Sequence, residues 1–184
     1  MRQWGTLVGL LVLVGMLVAL PGPAMATEQP NEASPNPARQ PSFHRTQSSA
    51  FELGSIEIPT IGVDETIRSG VSLSVIDRGV AQWAGTVGPG EDGNLVLAGH
   101  RTTHSRPFAD LDRLGIDDLI YITDGNGFRV MYKVADTTVV DPSDLWITYD
   151  RDRPMLTLFA CHPKGSARYR IVVTANLVAG RLIS

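Results

Sequence analysis

The sequence predicts a mostly β domain, a sandwich or a barrel, that begins near residue 51 and continues to residue 184. Short apolar segments rich in β-branched residues follow one another along this stretch, and Gly, Asp, Asn or Pro separates most of them. The sequence shows no internal repeat and no heptad pattern. Since 184 residues leave room for one domain with extensions, we expect one small β unit with one or two short helices.

The predicted strands can be read in chain order. They are "SIEI", "ETI", "NLVLAGH", "DLIYIT", "FRVMYKVA", "MLTLFAC" and "RIVVTANLV". Each segment is continuously apolar or alternates apolar with polar residues, which is typical of strands. One helix is predicted in "RPFADLDRL", because Phe108, Leu111 and Leu114 recur at helical spacing and Pro107 suits a first turn.

The N-terminus has a different character. After Arg2, residues 4–20 carry no charge over 17 positions, a length between the apolar part of a signal peptide and a spanning helix of about 20 residues. The triplet Ala24-Met25-Ala26 fits the small-x-small pattern of a signal-peptidase site. These residues leave open whether the segment is cleaved after Ala26 or kept as an anchor. Both outcomes predict that the rest of the chain lies outside the cytoplasm.

Residues 27–50 are predicted to be a disordered tether. The stretch "EQPNEASPNPARQPS" is rich in Pro, Asn, Ser and Gln and poor in large apolar residues, so it cannot bury enough surface to fold. The predicted organisation is therefore a signal or anchor segment at 1–26, this tether, and a folded domain at 51–184. The net charge of −3 and the scattered Lys and Arg residues predict no nucleic-acid partner.

Cys161 is the only cysteine, so it cannot form an intramolecular disulfide. Zinc ligands normally occur as spaced pairs, whereas Cys161 and His162 are adjacent and His44 is a poor further ligand. No metal site is therefore predicted. A free cysteine is often an inert core residue. The alternative is a nucleophile, which needs a base or a cation to form its thiolate.

The strand pattern indicates which histidine is the partner of Cys161. If "MLTLFAC" is a strand, Phe159 and Cys161 share one face, while Ala160 and His162 share the other. The partner must then come from elsewhere, and His100 closes the strand "NLVLAG" at the start of a polar segment. His104, in the following loop, either lines a groove or faces water.

A reaction at a carbonyl also needs a group that stabilises the oxyanion. Arg168 and Arg170 stand at the start of the last predicted strand, and an arginine is a fixed, always-charged donor. Since the two lie on the same face by strand alternation, the pattern does not choose between them.

The assembled segments resemble the sortases, membrane-associated cysteine transpeptidases of Gram-positive cell surfaces. The resemblance covers residues 51–184. "GSIEIPTIGV" is similar to the opening strand of that family, "TVGPGEDGNLVLAGHRTT" to its histidine strand, "LTLFACHP" to its cysteine strand and "RIVVTANLV" to its closing arginine strand. The details "AGHRTTH…PF" and "CHP…SAR.R" are most similar to the class E sortases of high-GC Gram-positive bacteria.

The resemblance implies a closed eight-stranded β-barrel with His100 and Cys161 as the catalytic pair. It assigns Arg170 as the catalytic arginine, with Arg168 as the second candidate, and favours retention of the N-terminal segment as a single-pass anchor. One residue departs from the family pattern: the threonine expected before the cysteine is Ala160 here. Because that hydroxyl is expected to contact substrate or the oxyanion region, the departure predicts an altered rate or substrate preference.

The implied activity is cleavage of a sorting signal at Thr-Gly through a cysteine thioester, followed by transfer to an amine. The expected partners are surface proteins that carry the signal and an amine acceptor of the cell wall or a pilin, with a Leu-Ala-x-Thr-Gly-like signal favoured over Leu-Pro-x-Thr-Gly. No cofactor and no metal is expected. Two alternatives stay open: a thiol hydrolase or protease that uses the same residues, and a non-catalytic surface β-domain with Cys161 in its core.

Overall fold

The computed structural model describes residues 51–182; the predictions for residues 1–50 lie outside this range. The strands are β1 (Glu52–Ile58), β2 (Val63–Ser69), β3 (Val80–Gln82), β4 (Asn94–Ala98), β5 (Leu119–Asp124), β6 (Phe128–Val140), β7 (Met155–His162) and β8 (Tyr169–Leu182). The helices are α1 (Leu73–Ile76) and three 3-10 turns at Pro59–Ile61, Leu111–Arg113 and Leu145–Thr148. Over residues 51–182, no helix has the length and apolar character needed to cross a membrane.

The eight strands close into one barrel in the order β1-β2-β3-β4-β7-β8-β6-β5. Most neighbours are antiparallel, but β2 pairs with β3, and β4 with β7, in parallel. The two longest strands, β6 and β8, pair along their lengths from Phe128 opposite Leu182 to Val140 opposite Arg170. Pairing of β1 with β5 completes the ring and removes the exposed strand edges. The predicted closed eight-stranded barrel is confirmed.

Alternation along β7 decides which of its side chains enter the barrel. Leu156, Leu158 and Ala160 belong to the main core. Phe159 lies on the outer face, where it packs with a smaller buried cluster that includes Val172 of β8. The predicted two-sided pattern of this strand is confirmed.

The helix predicted in "RPFADLDRL" is found only in part, as one short 3-10 turn. Residues 107–110 form turns, and only Leu111–Arg113 has a helical, 3-10 conformation. Phe108, Leu111 and Leu114 are nevertheless buried in the main core, as an inward-facing stripe requires. These residues are spaced by three, which matches the three residues per turn of a 3-10 conformation as well as it matches an α-helix. The spacing therefore identified the buried side chains but not the backbone conformation.

Gly99 allows this segment to pack tightly beside β4. A Cβ atom at position 99 would lie 2.8 Å from Phe108 Cδ2 and 2.9 Å from Pro107 Cγ, closer than real Cβ contacts. The backbone N–H of Phe108 donates to the carbonyl of His100 at 3.1 Å. The end of β4 is thus held against the 107–114 segment, and the position of His100 is set by that packing.

The turn before β4 is held from inside the barrel. Tyr132 of β6 is almost fully buried, and its hydroxyl accepts a hydrogen bond from the Gly90 backbone N–H at 2.8 Å. Burial raises the pKa of the Tyr132 phenol, and the bond from Gly90 opposes that shift only in part. Tyr132 therefore stays neutral, and its hydrogen bond with Gly90 holds the turn before β4 against the core.

Candidate active site

Two of the residues predicted to be catalytic lie on paired strands, and the third follows the end of a neighbouring strand. In the antiparallel pair of β7 and β8, Cys161 lies opposite Arg170. In the parallel pair of β4 and β7, Ala98 lies opposite Phe159, and the Gly99 backbone N–H still donates to the Phe159 carbonyl at 3.3 Å. His100 follows the end of β4 by two residues, and Cys161 follows Phe159 by two residues in β7. The parallel pairing therefore brings His100 and Cys161 to the same edge of the sheet, with Arg170 opposite the cysteine, and these three residues form the reactive row.

Cys161 lies on the outer face of the barrel. It follows Phe159 by two residues, so the two side chains leave β7 on the same side. Arg170 stands in the same relation to Val172, which packs on the outside with Phe159. The thiol is half-buried and forms no disulfide. It is therefore accessible on the surface that also carries the predicted arginine.

His162 points the other way. Its Nδ1 lies 2.6 Å from Nη1 of Arg101, a side chain that is 2% exposed. The other arm of Arg101 lies 2.7 Å from Asp112 Oδ1, within ion-pair distance although its N–H is poorly aligned for a hydrogen bond. The sequence prediction that His162 and Cys161 occupy opposite faces is confirmed.

The buried arginine changes the acidity of its partner. Burial raises the pKa of the Asp112 carboxyl, but the close ion pair with Arg101 outweighs it and holds the pKa below its usual value. Asp112 is therefore ionised at neutral pH and balances the charge of Arg101. This network stabilises the barrel beneath the outer row of residues.

His100 has a partner that the sequence did not indicate. Its Nε2 lies 2.8 Å from Oδ1 of Asp77, the residue that ends α1. The same carboxylate oxygen is 3.2 Å from Nδ1 of His104. Asp77 precedes His100 by 23 residues in "SVIDRG", a stretch with no motif of its own, so only the fold reveals the contact. The carboxylate holds the imidazole of His100 in one orientation.

The structure distinguishes the two candidate arginines. Arg170 is in β8, and its Nη1 donates to the backbone carbonyls of Ala167 and Tyr169, both at 2.9 Å. Arg168 lies in the bend before the strand, is exposed, and stacks 5.2 Å from the ring of its neighbour Tyr169. Only Arg170 is in register with Cys161.

A groove of about 160 Å³ runs over the outer face beside this row. Most of its lining is apolar, and it is formed by Trp83, Asp141, Pro142, Asp144, Leu145, Ile147, Thr148, Phe159 and Arg170. Trp83 and Phe159 meet edge to face at 5.9 Å between ring centroids. A larger cavity of about 340 Å³ lies over β5, β6 and β8, but no candidate residue lines it. The smaller groove is therefore the one associated with the predicted chemistry.

One wall of the groove is fixed by a buried asparagine. The amide Nδ2 of Asn94 donates to the carbonyls of Ile147 and Tyr149, each at 3.0 Å. Its Oδ1 accepts from the Thr157 hydroxyl of β7 at 2.8 Å. Since β7, which carries Cys161, and β4, which leads to His100, both take part in these bonds, the groove wall and the reactive row are parts of one rigid unit.

Ala160 does not face the groove. Its side chain is 3% exposed and belongs to the main core, on the face opposite Cys161. The expectation that a hydroxyl at this position would reach substrate or the oxyanion region is therefore wrong for this backbone. A threonine here would place its hydroxyl inside the barrel, so the substitution bears on packing first.

Known proteins are similar to this chain in sequence and in fold. Residues 56–178 match the family model of the sortase domain. Sortase SrtE1 of Streptomyces coelicolor is 28% identical over 176 residues, which cover 85% of this chain and 50% of that protein. Sortase D of Bacillus subtilis is 28% identical over 162 residues, which cover 84% of this chain and 80% of that protein. The chain thus spans about half the length of the Streptomyces relative.

A solved structure extends the comparison to three dimensions. The crystal structure of sortase E1 from Streptomyces coelicolor, with a tripeptide in the active site, matches with a TM-score of 0.66 at 28% identity, covering 71% of this chain and 90% of that one. The predicted likeness to class E sortases is confirmed by these relatives. Because the family model matches well over half of its residues, this chain belongs to the sortase family.

Proposed function

We propose that this sortase is a cysteine transpeptidase that cleaves a sorting signal and joins its acyl part to an amine. The observation that carries the proposal is that His100, just after β4, lies at the same sheet edge as the Cys161–Arg170 pair of β7 and β8, beside a mostly apolar groove. A nucleophile, an acid–base group and a fixed cation are the parts that acyl transfer needs. Membership of the sortase family supports the same chemistry.

The first half-reaction forms a thioester. The thiolate of Cys161 attacks the carbonyl carbon of the Thr-Gly bond, and the oxyanion is stabilised by Arg170 and backbone N–H groups. His100 gives a proton to the leaving amine, so the C–N bond breaks and the C–S bond remains. Asp77 keeps the His100 ring oriented through the 2.8 Å contact with Nε2.

The second half-reaction releases the enzyme. An incoming amine attacks the thioester, His100 accepts its proton, and the C–S bond breaks to return the thiolate of Cys161. Water in place of the amine would give hydrolysis from the same intermediate. The balance between these two products separates a transpeptidase from a thiol hydrolase.

The substrate is proposed to be an extended signal of the Leu-Ala-x-Thr-Gly type on a surface protein, with a cell-wall precursor or pilin lysine as the amine. The apolar lining by Trp83, Ile147 and Phe159 supports small apolar side chains before the reacting threonine. The related sortase E1 structure holds a tripeptide in its active site, which supports a peptide ligand here. The enzyme is proposed to act outside the cytoplasm, held by the apolar segment at residues 4–20.

The test is incubation of the full chain with Leu-Ala-x-Thr-Gly and Leu-Pro-x-Thr-Gly peptides, with and without triglycine. Mass spectrometry is expected to detect a thioacyl adduct on Cys161 and an amine-linked product that forms only when triglycine is present. Hydrolysis unaffected by triglycine would contradict transpeptidation and favour the hydrolase. Absence of any adduct, together with ordinary reactivity of Cys161 towards a thiol reagent, would favour the non-catalytic domain.

A further inference from the structure

One oxygen of Asp77 is shared by two histidines at the edge of the site. Asp77 Oδ1 lies 2.8 Å from His100 Nε2 and 3.2 Å from His104 Nδ1. The two rings are almost perpendicular, with centroids 5.0 Å apart. The three side chains offer donor atoms that all lie within 4.8 Å of one another, and Cys161 is not a member of this group. Two imidazoles and one carboxylate therefore converge on one point.

These distances are close to those of a metal-ligand set. Zinc binds histidine nitrogen and carboxylate oxygen at about 2.0–2.2 Å, which puts neighbouring tetrahedral ligands about 3.3 Å apart. The two measured contacts are 2.8 and 3.2 Å, so small side-chain shifts would open enough space for the ion. Three protein ligands leave further positions for water.

The backbone and the exposure of the group favour a solvent-accessible site. His104 has a left-handed backbone, with φ of 54°, which is uncommon for a residue other than glycine. This conformation occurs in the loop that carries the imidazole of His104 to Asp77. The side chains of Asp77, His100 and His104 are 39%, 20% and 41% exposed. An ion from solution can therefore reach all three without opening the barrel.

We propose that Asp77, His100 and His104 form a binding site for Zn²⁺ or a similar imidazole-preferring divalent cation, and that its occupation inhibits the enzyme. The mixed nitrogen and oxygen donors suit Zn²⁺, whereas Ca²⁺ and Mg²⁺ prefer sites made of oxygen. The inhibitory part of the proposal rests on the proposed function, because it requires His100 to transfer protons. The binding part does not.

The chemistry of inhibition follows from the ligand atom. Zn²⁺ takes the lone pair of His100 Nε2 and releases to water any proton bound there. The metal-bound ring can no longer become an imidazolium, so it cannot protonate the leaving amine. The ion also holds Asp77 and His104 around the ring and restrains it. Removal of the ion by a chelator restores the free histidine and reverses the inhibition.

Binding is tested first on the full chain carrying Cys161→Ala, which removes the thiol as a competing ligand. Titration of Zn²⁺ against a chromophoric chelator is expected to find one site, with Ca²⁺ and Mg²⁺ unable to compete. Adding Asp77→Ala or His104→Ala is expected to weaken binding more than about tenfold, since the loss even of a group that only supports a ligand costs that much. His44→Ala, in the predicted tether, is the matched control and should leave affinity unchanged.

Unchanged affinity in both the Asp77→Ala and the His104→Ala proteins would overturn the site. If Cys161→Ala by itself abolished Zn²⁺ binding, the ion would be bound by the thiolate, and the proposed site would be equally overturned. Thermal unfolding of each variant checks that lost affinity is not lost folding.

Inhibition is tested second, on the chain with its cysteine. Zn²⁺ is expected to slow transpeptidation, expressed relative to each variant's own metal-free rate, and a chelator to restore it. The His104→Ala protein should need more than about ten times as much Zn²⁺. Equal sensitivity of the two proteins would overturn the inhibitory role. A chain that transfers no peptide at all would contradict the proposed function, while the binding titration would still decide the metal site.

Discussion

His162 and His100 show opposite relations between sequence distance and position in the fold. His162 is the next residue after the nucleophile in the chain, yet its side chain leaves β7 on the opposite face and contacts buried Arg101. His100 precedes Cys161 by 61 residues, yet the parallel pairing of β4 and β7 brings both residues to the same edge of the sheet. Successive residues of a strand alternate faces, whereas residues level on paired strands share a face. In this sheet the chain neighbour contacts a buried arginine, and the distant histidine lies at the edge that carries the cysteine.

The largest effect is expected from Cys161, the proposed nucleophile. Cys161→Ala should reduce transpeptidation by on the order of 10³-fold or more, because no thioester can form. The melting temperature should change little, since the thiol is half-buried on the outer face. Rates and thermal unfolding on the same preparation measure both. Residual turnover near the wild-type rate would contradict the assignment of the nucleophile.

The two histidines themselves give the second test. His100→Ala should lower kcat/KM by roughly 10²–10⁴-fold, the usual contribution of an acid–base group. His162→Ala should reduce activity far less, while lowering the melting temperature because Arg101 loses a neighbour. An equal loss of activity in the two variants, each still folded, would contradict the conclusion that only His100 takes part in the reaction.

The arginines allow the same contrast along β8. Arg170→Lys should reduce kcat by about 10²–10³-fold, the usual effect of removing an oxyanion donor, because lysine lacks the planar fork. Arg168→Lys is the matched control, since Arg168 is exposed outside the strand. Steady-state kinetics with one peptide measures both variants. A larger loss of kcat in the Arg168→Lys protein would assign the catalytic role to Arg168 instead of Arg170.

A smaller effect is expected from Asp77, which orients His100 rather than touching substrate. Asp77→Ala should lower kcat by roughly 10- to 100-fold with KM nearly unchanged, the scale associated with a small misplacement of a reacting group. Asp77→Asn retains an oxygen acceptor and should recover part of that loss. A change confined to KM, or equal losses in both variants, would contradict a positioning role.

The smallest effect is expected from Asp112, which pairs with the arginine that His162 contacts. It appears in the pH dependence of stability. The pKa of Asp112 lies below its usual value of 3.8, so its contribution to stability is present above that value and is lost as pH falls through the lower folded pKa. Asp112→Asn should therefore lower the melting temperature at pH 7, and the gap to wild type should narrow in acid below about pH 4.

Asp117→Asn is the control for this measurement. Asp117 pairs with Lys133 on the surface, and its left-handed backbone, with φ of 72°, tolerates asparagine. Its substitution should leave the melting curve nearly unchanged at every pH. A gap for Asp112→Asn that stays constant with pH would contradict an ionised Asp112 in the folded protein.

Some features were predictable because they follow from local rules. The period-two pattern of "MLTLFAC" assigned Phe159 and Cys161 to one face and Ala160 and His162 to the other, and the two core clusters confirm this for Phe159 and Ala160. The inward stripe of Phe108, Leu111 and Leu114 was also predictable. Its backbone was not, because packing against Gly99 favours turns and one 3-10 segment over an α-helix.

The sequence by itself determined the fold class, the family and the chemistry-bearing types of residue, because strand periodicity and short segments are local properties of the chain. Only the tertiary structure decided which residues meet. It placed Asp77 against His100 and set Arg170 rather than Arg168 opposite Cys161. Those relations depend on strand register and barrel closure. Both are set by pairing between segments far apart in the chain, which no local pattern encodes.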